Sequence, residues 1–207
     1  MIASDTHGLH GKLAVPEGDV FVHCGDFTRR GELKTVSDFG RWVGALPHRH
    51  KVVVAGNHDR TFEDDPEAAL AALDAAGNGL TYLQDAGTEI DGVRFWGSPW
   101  QPWFFDWSFN LQRGPELAAK WALIPEGTQV LITHGPPLGI LDRVWGGDRV
   151  GCADLLERVR ELQPKVHAFG HIHEGSGIDV REGTTYVNGS ICDERYRPVN
   201  PARVIDL

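Results

Sequence analysis

The sequence predicts an α/β fold, a sandwich of mixed β-sheet flanked by helices. Short apolar runs, each closed by a small residue and then polar groups, recur as "DVFVHCGD" (19–26), "KVVVAGNHD" (51–59), "TQVLITHGPP" (128–137) and "KVHAFGHIH" (165–173). Runs of four or five β-formers ended by glycine read as buried strands. Helical periodicity fills the intervals, and strands alternating with helices imply parallel pairing. Stretches of two-residue period near 88–97, 177–182 and 184–188 add antiparallel hairpins.

Taken in order, "MIASDTH" opens the chain as the tail of a fifth strand. Only Met1 to Ser4 precede Asp5, fewer than the ~5–6 residues of a central strand. Either that strand is short or the natural start lies upstream. Residues 32–46 set Leu33, Val36, Phe39, Trp42, Val43 and Leu46 at helical spacing. Residues 66–76 start on a first-turn proline and end before Gly77. A third helix, 151–164, stops at Pro164. No repeat, charge block or linker divides the chain, so 1–207 is expected to be a single domain.

Composition excludes several function classes. A formal charge of −9 opposes electrostatic tracking of a nucleic-acid backbone, so no duplex nucleic-acid partner is expected. No apolar run approaches the ~20 residues of a membrane span, and "MIASDTHG" has neither a basic region nor a long apolar core, so a secretory signal is not expected. The three scattered cysteines (Cys24, Cys152, Cys192) form no disulfide framework and fit a reducing, cytoplasmic setting.

Parallel strands collect their carboxyl ends along one edge, and here each end delivers Asp, Asn or His. The donors gathered there are Asp5, His7, Asp26, Asn57, His134, His171 and His173. Seven overfill a four-coordinate site; with one carboxylate bridging, they supply two ions with four bonds each. Nitrogen and oxygen donors without thiolate suit Mn²⁺, Fe²⁺, Co²⁺ or Zn²⁺. His171 and His173, one residue apart in an extended run, face one space.

"DTH", "GD", "GNHD", "THG" and "GHIH", in that order, resemble the five motifs of the calcineurin-like metallophosphoesterases. "GSPWQPWFFDWSFNLQRG", "HGPPLGILD", "VGC", "FGHIHEG" and "NGSICD" are similar to the metallophosphoesterase-domain-containing group and related bacterial cyclic phosphodiesterases. The resemblance implies a four-layer αββα sandwich of two mixed β-sheets flanked by helices, with a dinuclear centre. It gives Asp5, His7, Asp26 and His173 to the first metal. Asp26 bridges, and Asn57, His134 and His171 complete the second. Some animal members of the group lack the first histidine of the last motif; its presence as His171 favours full activity.

The implied cofactors are two divalent transition-metal ions, with Mn²⁺ the first choice. Two such ions lower the pKa of a shared water and clamp phosphate oxygens for in-line displacement. His58 then stabilises or protonates the leaving oxygen, with Asn57 beside it as a ligand. Asp59 either orients His58 or is a solvated loop carboxylate. The implied activity is phosphodiester hydrolysis, with 2′,3′-cyclic nucleotides favoured as small-molecule substrates. A phosphomonoesterase or phosphoprotein phosphatase is the enzymatic alternative, supported by Arg30 at the position of a phosphate-binding arginine in "GDFTRRG". A non-catalytic scaffold is the rival of another class. Trp100, Trp103, Phe104, Phe105, Trp107 and Phe109 read mainly as core or lid packing, with one or two placed to stack on a nucleobase. Arg149 can meet an anion at the start of the 151–164 helix. Cys24, His10, His23, His48, His50 and His167 read as loop or packing residues.

Overall fold

A computed structural model describes residues 1–74 and 79–207. Chain order runs β1 (Ile2–Ala3), β2 (Val20–His23), α1 (Leu33–Gly44), β3 (His50–Val53), α2 (Thr61–Asp64), α3 (Pro66–Leu73) and β4 (Thr81–Tyr82). Next come β5 (Ala86–Ile90), β6 (Val93–Ser98), β7 (Gln101–Pro102), β8 (Asn110–Leu111) and α4 (Pro115–Trp121). The chain continues through β9 (Val130–Thr133), α5 (Ala153–Leu162), β10 (Val166–Phe169), β11 (Gly177–Arg181) and β12 (Thr184–Asn188).

Two main sheets form. The smaller, ordered β1-β2-β3-β4, is parallel throughout. The larger is ordered β11-β12-β10-β9-β6-β5. Its four inner strands are parallel and its two edge strands antiparallel, so the mixing expected of both sheets is confined to this one. Both hairpins of the larger sheet close through two-residue turns with positive φ at each position, Asp91-Gly92 and Glu182-Gly183. That is the turn handedness that matches strand twist.

Strand alternation builds three apolar layers. Phe21 and Val53 face α1 and α3, where they meet Val36, Phe39, Val43 and Leu73. The alternate residues Val22, Val52 and Val54 face the other sheet and meet Phe95, Val130, Ile132, Val166, Ala168 and Val187. On the far side of that sheet, Leu131, Phe169 and Tyr186 pack on Leu117 and Trp121 of α4 and on Leu155 and Val159 of α5. Helix, sheet, sheet, helix: the four layers follow from period-two strands and one apolar stripe per helix. Each fully buried Phe or Val contributes about 1.5–3 kcal/mol.

The helix expected over 66–76 is described as Pro66–Leu73, with Asp65 capping the Ala68 amide; residues 75 and 76 lie outside the described residues. The α4 helix is an addition to the expected elements. Its signal is nonetheless present, with Pro115 in the first turn and Leu117 and Trp121 four apart on its buried face. Cys24, His23 and His167 are buried in the core, and Cys152 and Cys192 are also buried and unpaired. His10 and His48 are buried as well, while His50 begins β3 near Asp91. Among the described residues no helix is long and apolar enough to cross a membrane.

Candidate metal centre

The carboxyl ends of β1, β2, β3, β9 and β10 open on one edge of the sandwich, and the loops leaving them carry Asp5 and His7, Asp26, Asn57, His134, and His171 with His173. The chain is tightly folded there. Asp5, His7, Asp26 and His171 all have φ between 43° and 66° although none is glycine. Such conformations are stored where surrounding structure enforces them, characteristically at functional sites. The glycine before a ligand-type residue has a steric cause at two points. A Cβ on Gly25 (φ +103°) would lie 2.6 Å from His134 Nδ1, and one on Gly170 would lie 2.1 Å from Asp5 Oδ2.

The seven side chains converge in two groups. Asp5, His7 and His173 bring one ligand atom each within 4.8 Å of one another, and so do Asp26, His134 and His171. Within the first, His173 Nε2 lies 3.4 Å from Asp5 Oδ1 and 3.3 Å from His7 Nε2. Within the second, His134 Nε2 lies 3.4 Å from Asp26 Oδ2 and 2.9 Å from Asn57 Oδ1. Asp26 Oδ2 also stands 4.0 Å from His7 Nε2, so it faces both groups.

Three imidazoles are oriented in the manner of metal ligands. The Nδ1–H of His7 donates to the Thr28 carbonyl (3.2 Å), that of His134 to Cys24 (2.9 Å) and that of His173 to Asp193 (2.9 Å). Each bond fixes the tautomer and leaves Nε2 toward the carboxylates. Asp5 is held by the Ser190 hydroxyl (2.7 Å) and the His171 amide (3.0 Å). Asn188 in turn accepts from the Ser190 amide and donates to the Ile172 carbonyl. In the sequence "NGSICD" stands out only as a likeness; in the structure its Asn188, Ser190 and Asp193 brace the site.

The electrostatics describe a place suited to cations. Burial alone would raise the Asp5 and Asp26 carboxyls, yet neighbouring histidines hold both well below the usual range. Burial opposes charge on His134 and His173, but Asp26 and Asp5 respectively outweigh it and lift each to about 9. Burial dominates at His7 and His171, which fall to about 4 and about 3. Protons on His134 and His173 thus occupy positions a metal would take. Buried paired carboxylates, oriented imidazoles and an amide oxygen suit a divalent metal site.

His58 adjoins both groups. Its amide donates to Asp26 Oδ1 (2.8 Å), its Nδ1–H to the Arg29 carbonyl (2.7 Å), and its Nε2 lies 4.0 Å from Asp26 Oδ2. The Trp107 ring packs against it, tilted by 30°, at 4.1 Å between centroids. Asp59 neither orients His58 nor meets solvent. It is fully buried and accepts the amides of Asp26 (2.8 Å), Thr28 (2.8 Å) and Gly56 (2.9 Å), with the Thr28 hydroxyl and, more distantly, the Phe27 amide. It ties the "GD" loop to the "GNHD" loop. Burial and the Asp26 charge push its carboxyl up to about 7, and a divalent ion on Asp26 would relieve the second cause.

A cleft of about 600 Å³ opens over the site, reaching Asp26, Asn57, His58, His171 and His173. Of the aromatic segment, Phe109 is buried and Trp100 packs on the core. Trp103, Phe104 and Trp107 line the cleft, and Phe105 is exposed outside it. Tyr196, whose ring stands 4.8 Å from that of His7, also lines the cleft, and no motif in the sequence points to it. Arg30 is exposed and does not line the cleft. Arg149 pairs with the buried Asp142 at 2.9 Å and is likewise outside it. Arg113 is the one Lys or Arg among the described lining residues.

Comparison with known proteins gives the fold and the family. A solved crystal structure 21% identical superposes with a TM-score of 0.69 over 90% of this chain and 88% of that one. The protein TT1561 of Thermus thermophilus, 14% identical, gives 0.59 over 90% and 86%. Human metallophosphoesterase domain-containing protein 1 is 47% identical over 225 residues, covering 99% of this chain and 69% of that protein. The family model of the calcineurin-like phosphoesterases matches residues 1–175, a span holding every strand-end residue of the site. The chain belongs to the calcineurin-like phosphoesterase family, metal-dependent hydrolases of phosphoric esters.

Proposed function

We propose that the chain is a phosphodiesterase of small phosphodiesters, with 2′,3′-cyclic nucleotides the favoured class, working at a dinuclear site. Asp5, His7, Asp26 and His173 would hold one ion, and Asp26, Asn57, His134 and His171 the other. Mn²⁺ is the first choice, with Fe²⁺, Co²⁺ and Zn²⁺ as alternatives. When bound, the ions supply positive charge for phosphate oxygens and lower the pKa of a shared water.

The chain's own groups do the rest. Asp26 Oδ2 faces both ligand groups, and four imidazoles, neutral once a metal takes the place of their protons, add donors with the Asn57 amide without cancelling charge. His58, with Nδ1–H fixed on the Arg29 carbonyl and Trp107 against its ring, holds Nε2 over the centre. A proton held at Nε2 can pass to the leaving oxygen. Trp103, Phe104 and Trp107 keep water from one side of the substrate.

The observation that carries the diester reading is the cleft wall. A monoester carries close to two negative charges and needs cations beyond the metals. Arg30 is exposed outside the cleft, and Arg113, the one lining cation, is held on the Gly151 and Val150 carbonyls, whereas the wall over His58 itself is aromatic. Mn²⁺-loaded protein should be assayed on 2′,3′-cAMP, 3′,5′-cAMP, bis-p-nitrophenyl phosphate and p-nitrophenyl phosphate. Diester turnover should exceed monoester turnover at least about tenfold, ~1.4 kcal/mol of transition-state preference. Equal rates would shift the assignment to a phosphomonoesterase.

A further inference from the structure

One cation in the cleft has no part in the reaction as described. The Arg113 guanidinium donates from Nη1 to the Gly151 carbonyl and from Nη2 to the Val150 carbonyl, both at 2.7 Å. Those two bonds fix the fork and leave three of its five N–H donors for other partners. Among the described residues no carboxylate lies within ion-pair distance of it, although Arg41, Arg60, Arg149, Arg158 and Arg197 all have one. The other charged residues of the cleft rim, Glu174 and Glu194, are acidic. None of the seven ligand-type residues, nor His58, is bonded to Arg113.

Its position is set by the β7–β8 ladder. Gln101 pairs with Asn110 and Pro102 with Leu111, and the Trp103 amide donates to the Leu111 carbonyl at 2.8 Å. The ladder therefore brings Trp103 and Phe104 beside the segment that carries Arg113. An aromatic surface, a fixed guanidinium next to it and a metal-type centre deeper in the same cleft match a ligand with three parts. A phosphate goes to the centre, a planar body to the aromatic wall, and a second anion to Arg113.

We propose that Arg113 is an anion subsite for a second negatively charged group on the substrate, so that the preferred diesters are nucleotides bearing a further phosphate. The inference rests on the phosphodiesterase reading and narrows its substrate class.

Calorimetric titration of the Mn²⁺-loaded chain with adenosine 3′-monophosphate and adenosine 3′,5′-bisphosphate tests it, beside turnover of bis-p-nitrophenyl phosphate. The bisphosphate should bind at least about tenfold more tightly, within reach of one charge-assisted bond. Arg113→Gln should bring that ratio close to one, Arg113→Lys should keep part of it, and neither should change turnover of bis-p-nitrophenyl phosphate. A wild-type ratio near one overturns the proposal whatever the variants do, as does binding of neither nucleotide. Equal weakening of both nucleotides by Arg113→Gln makes Arg113 a loop staple. Slower turnover of bis-p-nitrophenyl phosphate puts the guanidinium on the scissile phosphate instead. Either result overturns the subsite. Absence of any turnover by the wild type overturns the phosphodiesterase reading itself, which separates the two failures.

Discussion

Replacing Asp59 by Ala should unfasten the site without touching a ligand-type residue. The carboxylate is fully buried and accepts the amides of Asp26 and Thr28 at 2.8 Å and of Gly56 at 2.9 Å. The Thr28 hydroxyl keeps an alternative acceptor in the His58 carbonyl at 2.9 Å, so three close amides are stranded and the more distant Phe27 amide with them. Each stranded buried donor costs about 1–3 kcal/mol. The sum is taken low, at about 4 kcal/mol, because burial and the Asp26 charge disfavour the ionised Asp59 carboxyl. For a chain of this size that is a fall in Tm of roughly 8–16 °C. Asp59→Asn keeps the shape but turns its own N–H donors toward some of these amides, so it should recover less than half. Thermal unfolding followed by circular dichroism, with metal content determined on the folded protein, measures both effects. A Tm within about 2 °C of wild type and undiminished metal content would refute the reasoning.

His58→Ala should keep its metal content while turnover falls about 10²–10⁴-fold, most on diesters with poor leaving groups. An equal loss on p-nitrophenyl and alkyl esters would reduce His58 to charge stabilisation. Metal binding should release protons. His134 and His173, lifted from 6.5 to about 9, are charged in the metal-free chain below that value. Their pairing with Asp26 and Asp5 stabilises the metal-free fold fully below about pH 6.5 and is lost as pH rises through 9. Metal affinity should accordingly rise over the same window, with about two protons released per chain at pH 7. Calorimetric titration in buffers of different ionisation heat reports the number, and a value near zero contradicts the assignment.

Much of this is legible because strand ends of a parallel sheet must meet. Asp5, Asp26, Asn57, His134 and His171 each follow an apolar run by one to a few residues, and one topological inference gathers them. What the sequence hides depends on loop paths. Arg30 lies close after Asp26 in sequence yet is exposed outside the cleft, while Arg113, far from the strand-end motifs, is carried into the cleft by the β7–β8 ladder. Asp59 is ambiguous as a letter, since a carboxylate after "GNH" suits solvent as well as a nest of amides. The left-handed backbone at Asp5, His7, Asp26 and His171 leaves no sequence signal, because no glycine marks it. Helix α4 is masked by the aromatic cluster just before it, although Gly114, Pro115 and Glu116 spell a helix start.

The metal count tests the central claim most directly. Protein loaded with Mn²⁺, desalted and examined by elemental analysis should hold close to two ions per chain, since Asp26 faces both ligand groups. Asp26→Ala should then lose both ions, whereas His171→Ala should lose chiefly one. A stable content of one ion per chain with full activity would contradict the dinuclear site.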